Sequence, residues 1–598
     1  MGSASALRRL FLPLAFCLAA LPAQAAEVSL RAPGAPGEVR DALRAVSLSL
    51  SQASQPDATP QDLLAAARAD YARLLGALYA TGYYSGVIHI RVDGREAAAL
   101  SPFAAPSRID RIEIEVQPGP AFTFARAEVA PLPRGFVLPE GFAPGERALS
   151  GQIQEAAQAG IEGWRDQGHA KARVSAQRLT ADHRARTLSA EIALDPGPRL
   201  RFGDLVIATP SRVRAERIRA IAGLPTGKTF SPDALERSAR RLRRTGAFSS
   251  VALSEAETPG PEGTLDITAA VVDAKPRRFG FGAEMSSVEG TAVSGFWMHR
   301  NLLGGAERLR LEGEIGGVGG ESGGVDYNLS ARFDRPATFT PDTGLFLLGK
   351  LEDVDEPDYT ERSVELGFGL SHIFSDRLSG EVGLSLRYSD VEDDLGSRTL
   401  EQLLLPAALT WDGRDDPLDA TRGYFLAVEA TPFLGLGGSA SGARLYTDAR
   451  AYRALGGGGR LVLAGRVQAG SVFEAQTAEV PPGMLFFSGG GGTVRGQDYQ
   501  SLAVDLGGGL RVGGRSFLGL SGELRMGVTD TIGLVGFADA GYIGAGSLGQ
   551  GEGDWHSGAG IGVRYATGIG PIRLDLATPL EGGEGGGVKL YLGIGQAF

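Results

Sequence analysis

Residues 486–502 read FFSGGGGTVRGQDYQSL: four consecutive glycines, Gly489, Gly490, Gly491 and Gly492, lead through Val494 to a lone arginine, Arg495, followed by Gly496. Glycine-rich turns expose backbone N–H groups that can cradle a phosphate. That chemistry fails here on detail. No Lys-Ser/Thr pair follows the glycines, and residues 497–501 do not open an amphipathic helix, so Arg495 needs another partner. A second phosphate-like stretch, Gly223-Leu-Pro-Thr-Gly227-Lys228-Thr229, has three residues between its glycines where a P-loop requires four. It reads as a helix-helix turn ending at an N-cap, Ser231, with Phe230 as a hydrophobic staple. The six histidines, at 89, 169, 183, 299, 372 and 556, show neither metal-ligand spacing nor a Ser/His/Asp grouping. The chain is therefore not expected to be an enzyme, and no metal or other cofactor is expected.

The elements that would carry Arg495 follow from composition and period. The sequence has 598 residues, 88 of them Gly and only one Cys, with a formal net charge of -11. An acidic chain without a basic, aromatic-interleaved patch is a poor nucleic-acid binder, and that class is excluded. Arg8 and Arg9, an apolar run over residues 10–21 and Ala23-Gln24-Ala25 have the layout of a secretory signal peptide. Cleavage after Ala25 would remove Cys17, leaving a mature chain without a thiol. No other stretch approaches the roughly 18 apolar residues of a spanning helix, so the mature protein is either soluble or a β-barrel.

From residue 27 to about 275 helical and strand patterns alternate, and they repeat. Pro118-Gly119-Pro120 recurs as Pro196-Gly197-Pro198, each copy lying between two short strand patterns. Thr59-Pro60 and Ser231-Pro232 read as N-caps followed by proline, and Ser150 as a third cap. Gly82, Gly168 and Gly246 each stand where a left-handed helix terminus is wanted. Three units ordered strand, two helices, two strands are expected. After residue 278 the period becomes two. Leu518, Leu520, Leu524, Met526 and Val528 share one parity, and Ser521, Glu523, Arg525 and Gly527 the other. About 320 residues of such strands, at about 20 residues per strand and connection, give near 16 strands with lipid outside and water inside. The final pattern places Val588, Leu590, Leu592, Ile594 and Phe598 toward lipid.

Exported chain, three small repeats, a glycine-rich barrel and a late Val494-Arg495-Gly496 together resemble the BamA/TamA superfamily of outer-membrane assembly and secretion barrels. Three repeats, the stretch from Pro481 to Gly496 and Gly570-Pro571-Ile572-Arg573-Leu574-Asp575 are similar to its TamA form, the outer-membrane subunit of the translocation and assembly module. The resemblance implies α+β POTRA repeats followed by an all-β 16-stranded transmembrane barrel: signal peptide 1–25, POTRA domains 26–118, 119–198 and 199–275, and barrel 276–598. It also implies residence in the outer membrane of a Gram-negative bacterium, with the POTRA domains in the periplasm. The superfamily's loop folds into the lumen and its arginine pairs with acidic groups on late strands. Glu523 is the candidate from its polar parity, and Asp539 matches a second acidic position although it shares parity with Val535 and Phe537. Arg525 competes for Glu523, and Gln497 stands where the superfamily has an aromatic, whose packing Tyr499 would take over.

The first barrel strand, with Phe279, Phe281, Ala283 and Met285 on one face, and the last, which begins Gly585-Gly586-Gly587, are rich in glycine. Glycine weakens strands. The expected function is insertion or secretion of β-barrel clients such as autotransporters through a lateral seam between these strands. The implied partners are a TamB-like inner-membrane-anchored periplasmic protein, unfolded outer-membrane clients and outer-membrane lipids. A two-partner secretion pore, a BamA-like general insertase and an inter-membrane lipid transport component are the alternatives.

Overall fold

The computed structural model describes residues 26–598 except 56, 102–105, 321–322, 457–458, 508, 569 and 583–586. The signal-peptide reading, with Cys17, therefore lies outside the described residues, as do Gly585 and Gly586, the expected start of the closing strand. The chain forms two compact units, one made largely of residues up to Arg201 and the other of most residues from Phe202 to Phe598.

The first unit holds two β/α segments. In the first, Thr59 caps the helix Pro60–Ala80 in a reciprocal capping box with Asp62, with Pro60 at the first turn. Gly82, at φ 81°, turns the chain back toward strand. The helix packs Leu64, Leu74 and Leu78 onto a four-stranded sheet through Ile90, Ile112 and Ile114, all of them fully buried. At about 2 kcal/mol for each such side chain, this core is what makes the segment a folding unit.

The second segment departs from the expected order. Residues 131–149 form turns rather than a first helix, so strand Thr123–Ala130 is followed by the single helix Ser150–Asp166 and two strands. Ser150 is the first helical residue and not the cap, which is Leu149 without a side-chain hydrogen bond. The turn stretch instead contributes Phe142, which meets Phe124 edge-on at 5.2 Å. That aromatic contact occupies part of the sheet face a first helix would cover.

The third segment, strands Arg201–Ile207, Phe248–Glu255 and Thr264–Asp273 with helices Ala215–Ala222 and Pro232–Arg244, has the expected order. Gly223 ends its first helix in the left-handed region, and the P-loop-like stretch is the connecting turn. This segment grips the near rim of the barrel. Arg241 clamps Asp342 with two hydrogen bonds of 3.0 and 2.5 Å, Arg244 adds a third of 2.5 Å, and Arg214 N–H donates to the Gly304 carbonyl at 2.9 Å. Burial pushes the Asp342 carboxyl up, but the two guanidinium groups outweigh it and hold the acid below its ordinary value.

The barrel is a closed antiparallel sheet. It has 16 strands, because Gly396–Leu404 and Ala407–Asp412 are two pieces of one strand broken at Leu405-Pro406, where proline has no N–H to give the ladder. Strand Tyr359–Ile373 shows the pattern: Val364, Leu366 and Phe368 are exposed on the outer face while Glu361 and Ser363 are buried inside. The outer residues form an apolar band of the kind that faces lipid in a membrane-spanning barrel. No helix among the described residues is long and apolar enough to cross a membrane.

Closure is uneven. The first strand, Arg277–Ser286, is registered along its whole length with the second, from Arg277↔His299 to Ser286↔Gly290. With the last strand, Lys589–Ile594, it shares only Met285↔Leu592 and Ser286↔Tyr591, extended by one bond from Ser287 N–H to the Leu590 carbonyl at 3.0 Å. One expectation is corrected here. The last strand ends at Ile594, and Phe598 does not face lipid but is 7% exposed against Ala420, Tyr452 and Ala464. Gly595, at φ 100°, turns the backbone, its N–H bonding the Pro571 carbonyl at 2.7 Å, and the tail bends inward.

Candidate functional site: the lumenal loop and the seam

The loop joining strands Leu461–Phe473 and Ser516–Gly527 lies across the barrel interior. It is built as a folded element. Phe486 and Gly514 exchange backbone hydrogen bonds of 3.0 and 2.8 Å, and Ser488 and Leu502 do so at 3.1 and 2.9 Å. Phe486 also stacks on Phe517 of the wall at 5.8 Å. At its tip the glycines are not equivalent. Gly490 and Gly496 have φ of 89° and 95°, and a Cβ on Gly496 would sit 2.6 Å from the Thr578 carbonyl oxygen. Gly492 has an ordinary φ and open space around it.

Arg495 is buried, its side chain 4% exposed. Its Nε and Nη2 reach the two oxygens of Asp539 at 2.8 and 3.0 Å, and its backbone N–H adds a third bond to the same carboxylate at 3.2 Å. Nη1 donates to Glu523 at 2.8 Å and to Asp575 at 3.3 Å. The guanidinium lies 3.6 Å from the centre of the Phe537 ring. The two acids named from sequence are thus both at the arginine.

Asp575 is the one that sequence reasoning passed over. Its parity, opposite to Ile572, Leu574 and Leu576, was the available signal. The competition for Glu523 is settled by sharing: Arg525 takes its other oxygen at 2.8 Å, and Arg564 pairs with Asp575 at 2.5 Å. Three arginines meet three carboxylates, all nearly inaccessible, with no net charge. Burial of so many charges is sustainable only because each is paired and hydrogen-bonded. Asp539 faces inward beside Val535 and Phe537 because the wall under the loop is itself packed, so apolar residues belong there.

Gln497 does not need an aromatic's packing. Its amide donates to the Ser557 and Glu581 carbonyls at 2.7 and 2.9 Å. Tyr499 turns to another wall and donates to Glu356 at 2.8 Å. The fold also brings Ser488 Oγ within 2.8 Å of His556 Nε2, a pair invisible in the sequence. Nδ1 of His556 meets no carboxylate among the described residues, and both side chains are buried, so the pair ties the loop to the wall.

The loop reaches both sides of the seam. Gly491 N–H donates to Glu289, in the turn after the first strand, at 2.7 Å. Gly496 N–H donates to Tyr591 Oη of the last strand at 3.1 Å, and Lys589 of that strand pairs with Asp498. The seam residues lie where the alternation puts them on the first strand: Phe279, Phe281 and Met285 are 62%, 87% and 47% exposed on the outer face, with Ala283 between them. On the closing side Val588 precedes the strand and is exposed, as is Ile594, while Leu590 and Leu592 are half-buried.

Comparison with known proteins agrees with this architecture. Residues 301–598 match the Omp85 superfamily domain, and residues 200–273 match a POTRA family described as a surface antigen variable number repeat. The fold is similar to BamA from Haemophilus ducreyi lacking POTRA domains 1–3, with a TM-score of 0.63 at 16% identity over 79% of this chain and 100% of that one. It is also similar to CdiB from Acinetobacter baumannii, with a TM-score of 0.51 at 10% identity over 80% of this chain and 90% of that one. Residues 301–598 are accordingly an Omp85 superfamily domain, and residues 200–273, which precede it, are a POTRA repeat.

Proposed function

We propose that this protein is an assembly and translocation factor of the TamA type, which inserts or secretes β-barrel clients, autotransporters among them, through the seam between its first and last strands. The observation that carries the reading is the two-pair closure. Residues 277–284 present backbone N–H and C=O groups along an edge that the last strand does not cover, and such an edge templates an incoming strand by β-augmentation. Two pairs are quickly broken, whereas the first strand is registered with the second over ten pairs and the last with its other neighbour over six. Three POTRA domains stand in the periplasm in this reading, and their sheet edges receive a TamB-like partner anchored in the inner membrane. The Arg495 knot fixes the loop so that the lumen side of the seam is defined while the client pairs.

A disulfide lock tests this. Met285→Cys with Leu592→Cys joins registered residues across the seam, and a client inserting into liposomes reports activity. Insertion abolished by the lock and restored by reductant is the expected result. Insertion that survives a complete lock contradicts the reading and favours a secretion route through the lumen, past the loop.

A further inference from the structure

Below the two closing pairs the seam has no backbone pairing, yet it is bridged. Arg573 belongs to the penultimate strand, Ile572–Glu581, where it is registered with Gly593 of the last strand. Gly593 lies one residue beyond Leu592, the partner of Met285, and Glu284 lies one residue beyond Met285 on the other side. The three positions therefore form one row across three strands. Arg573 extends along this row over Gly593 and forms an ion pair with Glu284 of the first strand. A side chain on the last strand would stand in the way: a Cβ built on Gly593 lies 3.0 Å from the Glu284 carboxylate and 3.1 Å from Arg573 Nε.

We propose that Glu284 and Arg573 are a latch on the seam, positioning residues that keep the first strand against the last at rest, and that Gly593 is glycine so that the latch can close over it. This rests on the seam reading above. The Glu284 side chain is 55% exposed and that of Arg573 13%, so the pair is reachable by lumen water and ions. A half-exposed pair of this kind is weaker and more salt-sensitive than a buried one. It suits a contact that must hold a strand edge in place and yield when a client strand competes for that edge. The buried knot at Arg495, by contrast, offers no such release.

The test uses full-length protein in liposomes, with spin labels at Ala283→Cys and Ile594→Cys and distances read by pulsed electron spin resonance. The parent is expected to show a narrow short distance that broadens as salt is raised to about 1 M, where the screening length falls to about 3 Å. Glu284→Gln and Arg573→Gln are expected to be broad at every salt concentration. Gly593→Ala, which keeps both charges, is expected to broaden in the same way, and the exchange Glu284→Arg with Arg573→Glu to recover the narrow distance. Unchanged distances in the single variants overturn the latch, and so does an exchange variant that folds but stays broad. Client insertion in the same liposomes is read separately. Variants that broaden the seam without altering insertion leave the latch standing and count against the seam as the client's route.

Discussion

The late wall and the seam are parts of one sheet, held together in opposite ways. Strands Ser516–Gly527 and Ile532–Gly544 are registered from Ser516↔Gly544 to Gly527↔Gly533 without a gap. Across them and their neighbours Arg495 knots three carboxylates that are nearly inaccessible to solvent. The seam has two registered pairs, one further backbone hydrogen bond from Ser287 to Leu590 and one half-exposed ion pair. A barrel in lipid cannot leave an edge open without cost, because no water is there to satisfy it. In the proposed function, concentrating order in the late wall and leaving the closure thin confines any opening to one predetermined place.

Breaking the knot should give the largest effect. Arg495→Ala leaves three buried carboxylates facing two arginines, and the loss of a buried partner costs about 3–5 kcal/mol. Urea unfolding in detergent micelles should report a fall of that size, and the loop should become protease-sensitive. Asp539→Asn should do less, because the amide retains an acceptor for the arginine.

The glycines sharpen the contrast within the loop itself. Gly496→Ala forces a β-carbon into the Thr578 backbone at a positive φ and should cost about 1–3 kcal/mol by the same measurement. Gly492→Ala, with open space and an ordinary φ, should be neutral. Equal effects at the two positions would mean that the loop tip is not held as described.

Replacing Phe537 by Leu removes the ring under the Arg495 guanidinium while keeping an apolar side chain. A loss of about 1 kcal/mol is expected, the scale of a desolvated cation–π contact.

The smallest effect is local and lies outside the membrane, at the third segment's grip on the rim. The Asp342 carboxyl is held below its ordinary value, so its contribution is complete above the unfolded-state pKa of about 3.9 and is lost as pH falls through the lower folded value. Amide exchange in residues 337–342 should be flat from pH 7 down to about 4 and rise below it, once corrected for intrinsic rates. Asp342→Asn should remove this acid dependence.

Much of this was legible in the residues. The change of period near residue 278 and the parity of each strand point on their own to the barrel; the lumenal pairing of Arg495 came from the superfamily resemblance, and parity then singled out Glu523 as a partner. Asp539 was harder because inside-polar is a rule for a wet lumen, and the wall beneath a packed loop is dry. Asp575 was missed because its link to Arg495 spans 80 residues and depends on strand register, which alternation alone does not fix. Phe598 misled for a related reason: period two continues on paper through Gly595, but a glycine at positive φ ends the strand and sends the aromatic inward. In the second segment, residues 131–149 carry neither a cap nor a periodic apolar face, and the expectation of a helix there came from its neighbours in the repeat.

A barrel built this way should open at the seam and stay shut at the late wall, and one experiment addresses both halves. Spin-label pairs are placed across the seam at Ala283 and Ile594 and, in a second sample, across the late wall at Leu524 and Gly536, which are registered partners. Distances are measured in liposomes before and after adding an unfolded β-barrel client. The client is expected to lengthen and broaden the seam distance and to leave the late-wall distance unchanged. A seam distance that the client does not alter while insertion proceeds, or a late wall that moves with it, would contradict a seam-confined opening.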